Sequence, residues 1–90
     1  MKRKEFVKGK IGYIYSFESK NAPKRAYIDE VEVEEYEGDG WGSVWNYPNE
    51  MSEEVEIKDV YDTYEEAEKA LIKFLLKTLT ECTVENDIWF

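Results

Sequence analysis

The residues with the most chemical potential in this chain are carboxylates, and they are clustered. Asp29, Glu30, Glu32, Glu34, Glu35, Glu37 and Asp39 fall between positions 29 and 39. Paired carboxylates are the stock of glycosidase and general acid–base chemistry. That work requires one carboxyl with a raised pKa held in a cleft. Here the acids occupy alternating positions or flank turns, where water keeps them ionised. The chain has no histidine and one cysteine, so neither a Ser-His-Asp triad nor a Cys-His pair can be assembled. Glu37-Gly38-Asp39-Gly40-Trp41-Gly42 lacks the ligand spacing of a Ca²⁺ loop, and its acids would repel a phosphate. The expectation is a protein that is not an enzyme, with no metal site and no cofactor.

Binding remains as the work these acids can do. Residues two apart on a strand are ~6.6–6.8 Å apart, so Glu30, Glu32 and Glu34 would form a row of negative charge at that interval. Phosphates along one DNA strand are separated by about 7 Å once helical rotation is added to the rise. Such a row fits a groove built for a nucleic-acid backbone. The plainer alternative is a solvated strand face kept acidic for solubility and edge protection. Trp41, Ser43, Trp45 and Tyr47 share one face of the next strand. Either that face is core together with Leu71 and Phe74, or it points outward, where Trp41 and Trp45 beside the acids would make an interface hot spot.

Charge is divided along the chain. Residues 1–25 carry eight Lys/Arg against two acids, residues 26–90 carry four against nineteen, and the whole chain is at −9. Between Ala26 and Glu68 the one base is Lys58. This surface repels nucleic acid and anionic membrane and attracts basic partners over long range.

The elements that must position these groups follow from periodicity. Alternating, β-forming residues predict strands over 11–18, 25–37, 41–47 and 54–60, with an Asp39-Gly40 hairpin turn. Gly9 and Gly12 would permit a bulge. Residues 19–24 read as a loop. Thr63 and Glu66 form the capping-box signature of a helix over 63–80. Its main stripe is Ala67, Ala70, Leu71, Phe74, Leu75 and Thr78. Ile72, Leu76 and Leu79 form a second stripe on an adjoining face. Either the tail Ile88-Trp89-Phe90 folds back to cover them, or they self-associate. Residues 84–90 could add a short last strand.

Ninety residues make one domain with a modest core. Consecutive short-linked strands followed by one helix predict a two-layer α+β fold. The expected sheet is an antiparallel meander of three to four strands, five with the tail, roofed on one face by the helix. The glutamates would decorate the opposite, open side. Cys82 has no partner for a disulfide, the basic first residues lack a signal-peptide apolar run, and no segment reaches membrane-spanning length. A soluble, cytoplasmic protein is expected.

In size, acidity and lack of catalytic residues the chain resembles the small inhibitors that phages make against host CRISPR or restriction systems. That resemblance implies a non-enzymatic partial nucleic-acid mimic docking on a basic surface of a nucleic-acid-handling protein, not on nucleic acid or membrane. Glu30, Glu32, Glu34, Glu35, Glu37 and Asp39 would supply the charge, with Trp41 or Trp45 as anchor. The alternative is a small structural or accessory domain that forms a homodimer through Ile72, Leu76, Leu79, Trp89 and Phe90.

Overall fold

The computed structural model describes residues 1–18 and 25–89, with side chains as far as residue 77. Strands β1 (Ile11–Phe17), β2 (Ala26–Gly38), β3 (Trp41–Asn46) and β4 (Met51–Glu56) form one antiparallel sheet in the order β1-β2-β3-β4. A 3-10 turn at Ile57–Asp59 follows, and then helix α1 (Tyr64–Trp89), which packs against the sheet. The fold is a two-layer α+β domain built on a four-strand meander. The β2–β3 connection is the expected Asp-Gly turn: Asp39 at φ 55° and Gly40 at φ 82° supply the two left-handed residues a type I′ hairpin needs.

Alternation assigns the two sides of the sheet. Ile14, Val31, Val33 and Val44 point inward and are buried, and Phe6 and Val60 complete the core. Two glycines make room for those last two side chains. A Cβ on Gly42 would lie 2.3 Å from the Phe6 ring and 2.8 Å from the Glu35 carbonyl oxygen, and one on Gly12 would lie 2.6 Å from Val60. Gly12 is therefore a socket rather than a bulge. The register shifts fall on β2 instead, between Val33 and Glu35 and between Tyr36 and Gly38. The first returns Tyr36 to the inner side, where it meets Phe6 edge-on at 6.5 Å.

The sheet is coiled around this core. Tyr61 exchanges backbone hydrogen bonds of 2.9 and 2.8 Å with Tyr13, on the edge of β1 away from β2. In a flat sheet that position would lie about 19 Å from β4, four strand spacings away. Only four residues lie between Glu56 and Tyr61, and the 3-10 turn among them rises only ~2 Å per residue. The edges must curl toward each other, in the sense that strand twist favours. Ile57 N–H donates to the Gly40 carbonyl at 2.9 Å, which continues the β3–β4 ladder, and the N-terminal ammonium fastens the segment that follows by donating to the carbonyls of Ile57 and Val60.

The helix starts where expected. Thr63 Oγ1 accepts the Glu66 N–H at 3.1 Å, the cap bond of that motif. Its inner stripe is Tyr64, Ala67, Leu71 and Phe74. Tyr13 meets Tyr64 at 6.1 Å, while Tyr15 and Phe17 meet Phe74 at 6.2 and 5.3 Å. Those β1 side chains alternate with Gly12, Ile14 and Ser16, so they point away from the core. The helix thus lies over β1 on the same side of the sheet as Glu30, which pairs with Tyr13. The expectation that the helix roofs the side opposite the glutamates is corrected. Phe6 and Val60 already close the interior of so small a coiled sheet, and the apolar row left uncovered is the outer one on β1.

Other boundaries also move. The helix runs to Trp89 rather than ending near residue 80, so residues 84–89 form no fifth strand. No Gly or Pro follows Tyr64 to stop it. β4 begins at Met51 and yields 57–59 to the 3-10 turn. The expected loop at 19–24, the side chains of Leu79 and Trp89, and Phe90 lie outside the described residues. No described helix is long and apolar enough to cross a membrane.

Candidate protein-binding surface

The outer faces of β2, β3 and β4 form one continuous surface whose make-up follows from register. Trp45 stands directly between Glu32 and Ser52, Ser43 between Glu35 and Glu54, and Trp41 between Gly38 and Glu56. Trp41 is 44% and Trp45 36% exposed. The alternative that places these indoles in the core with Leu71 and Phe74 is therefore overturned. The inward positions of β3 are Gly42, Val44 and Asn46, small because Phe6 and Val60 have taken the interior. Only the outer side has room for indole rings.

The carboxylate row is real but not evenly spaced. Glu30 and Glu32 keep the alternate spacing, whereas the bulge makes Glu34 an extra residue and sets Glu34 and Glu35 side by side. Glu32 accepts the Tyr47 hydroxyl at 2.5 Å, and Glu34 accepts the Ser52 hydroxyl at 3.0 Å. The hydrogen bond to Glu32, with some burial and the charges of Glu32 and Glu30, raises the Tyr47 phenol above its ordinary 10.0. Glu32, Glu34, Glu35, Ser43 and Trp45 line a shallow groove of about 490 Å³, with Lys8 at its side. Glu37 and Asp39 stand apart, exposed at the hairpin tip. Among the described residues the one ion pair is Lys58–Glu56 at 3.2 Å, so the acids of β2 and its hairpin form none there.

Asp29 does not belong to the surface row. It is 6% exposed and accepts Asn46 Nδ2 at 3.1 Å and Ser16 Oγ at 3.3 Å. Asn46 Nδ2 also donates to Glu53 at 2.9 Å, while its Oδ1 accepts the Asn49 N–H at 3.0 Å. This inner polar cluster anchors the β3–β4 turn. Glu54 and Glu56, which alternation sets opposite Val55, were not among the expected partner-binding residues, yet pairing of β4 with β3 adds them to this face. Their alternation with Val55 carried the signal once β4 was placed beside β3.

The second expected patch is partly visible. Ile72 and Leu76 are 49% and 58% exposed on α1. Among the described residues no group of three or more Cys, Asp or Glu could hold a metal ion. No protein-family model, curated protein or solved structure matches the chain.

Proposed function

We propose that this is a non-enzymatic acidic binding protein that docks its β2–β4 outer face on a basic surface of a nucleic-acid-handling protein inside the cell and blocks it, as phage-made anti-CRISPR or anti-restriction inhibitors do. One observation carries the reading: an exposed indole, Trp45, is set among Glu32, Glu34 and Glu35, which have no described cationic partner. Exposed aromatic anchors are what interface hot spots use, and the net negative field, offset in part by Lys8 at the side of the groove, speeds encounter with a basic partner. Glu30, Glu37 and Asp39 extend that field.

Immobilised protein presented with native host extract at low and high salt tests this. The captured protein should be a nucleic-acid binder whose activity the chain inhibits and which duplex DNA or RNA competes away. High salt should release it, because exposed charges are screened within ~10 Å at 0.1 M. Reversing Glu32, Glu34 and Glu35 to Lys together should abolish capture without changing the circular dichroism spectrum. Capture undiminished by that reversal sinks the proposal.

The exposure of Ile72 and Leu76 supports a second reading, self-association through α1. Leu76→Asp should then turn a dimer into a monomer in sedimentation. A wild type that already sediments as a monomer removes this reading.

A further inference from the structure

We propose that the cavity between the edges of β1 and β4 receives the cationic side chain of a lysine or arginine from the partner protein. It rests on the docking reading only for the source of that cation. The cavity exists because the sheet coils. Ile14 and Tyr15 from β1 line it together with Trp41, Glu54, Val55, Glu56 and Asp59, and its volume is about 450 Å³.

The lining specifies the ligand. Glu54 and Asp59 supply negative charge beside Glu56, which is paired with Lys58, and among the described residues no cation lines the cavity, which disfavours an anion. Lys58, next in sequence, instead turns to Glu56 at its edge with 75% of its side chain exposed. Nor do these carboxylates converge closely enough to chelate a metal ion. A diffuse organic cation is a better match, because Trp41 and Tyr15 offer aromatic rings to it. Ile14 and Val55 can cover an alkyl stem that such a cation carries.

The Tyr15 ring is held in advance. It stacks on Tyr61 at 6.3 Å and touches Phe74 at 6.2 Å, so little ordering remains to be done on binding. Asp59 already acts electrostatically on this spot, since after burial it is the second cause of the raised Tyr15 pKa.

The test is an amide and indole chemical-shift titration of the full chain with N-acetyl-lysine methylamide, N-acetyl-arginine methylamide and the neutral N-acetyl-norleucine methylamide. The two cationic probes should shift the Trp41 indole and the Ile14 and Val55 amides saturably, and the norleucine probe should not. Trp41→Ala should weaken binding about tenfold and Trp41→Phe less, as expected for loss of a cation–π face. Glu54→Gln, a near-isosteric change at an exposed position, should weaken it without touching the fold.

Shifts spread over all the outer acids, or binding indifferent to Trp41→Ala and Glu54→Gln, overturn the proposal. Binding of free butylammonium but of neither amino-acid amide overturns the assignment to a protein side chain. The two readings fail separately. If the probes seat here while the triple lysine reversal still captures its partner, the docking reading falls and this site stands. If capture needs those glutamates but the probes do not seat, the reverse holds.

Discussion

The two sides of β2 and β3 are written in the same strands, one residue apart, and they have opposite fates. Val31, Val33 and Val44 are fully buried, while their neighbours Glu32, Glu34 and Trp45 look outward. Alternation decides which side chain goes to which side. It does not decide what covers each side. The inner side is closed by single residues brought from far along the chain, Phe6 and Val60, each seated on a glycine. The outer side is divided: α1 covers the aromatic row of β1, and the rest is left to acids and indoles.

If that division holds, substitutions on the two sides should differ sharply in effect. The largest loss is expected at Phe6, whose truncation to alanine empties the centre of the core and should cost about 3–5 kcal/mol in urea denaturation. Against typical domain stabilities of ~5–15 kcal/mol, that leaves a small domain close to unfolding. Next comes Gly42→Ala, which drives a methyl into the Phe6 ring and the Glu35 carbonyl; overpacking of this kind costs ~1–3 kcal/mol. On the outer side, Glu35→Lys should change stability by no more than about 0.5 kcal/mol while altering binding. A Glu35→Lys loss as large as that of Gly42→Ala would mean that the acidic face is part of the structural frame.

Much of the frame was legible in the sequence because local rules and tertiary structure agreed there. Asp39-Gly40 has a single comfortable hairpin geometry, Thr63 caps the helix it precedes, and Val31 and Val33 alternate without ambiguity. The acidic surface was legible for the same reason, except where tertiary demand intervened. The bulge at Glu34 exists to bring Tyr36 to Phe6, a contact thirty residues apart in sequence that no local pattern announces. The side taken by the indoles depended on the volume left inside, which Phe6 and Val60 settle. Phe6 stands outside the expected strands, and Val60, at the end of the expected 54–60 strand, falls out of phase with Val55 and Ile57, so neither marks itself as core. The cavity between β1 and β4 is more remote still, because it arises from the coiling of the whole sheet.

The smallest expected effect separates the two sides by pH. Tyr15 and Tyr61 are raised above 10.0 mainly by burial, with Asp59 adding to both and Tyr15 adding to Tyr61. Tyr47 is raised first by its hydrogen bond to Glu32. In each case folding favours the protonated phenol, and the unfolded chain releases that proton earlier as pH rises. The stability conferred is therefore complete below about pH 10 and is lost as pH climbs through the folded-state values. Tyrosinate absorbance followed against pH should show these phenols titrating late. Added salt should bring Tyr47 part of the way back, since exposed charges are screened, and leave Tyr15 and Tyr61 nearly where they were. Tyr47→Phe should remove the salt-sensitive step and little else. If salt moves Tyr15 and Tyr61 as far as Tyr47, their shifts come from surface charge and the helix does not shield β1 as its ring contacts indicate.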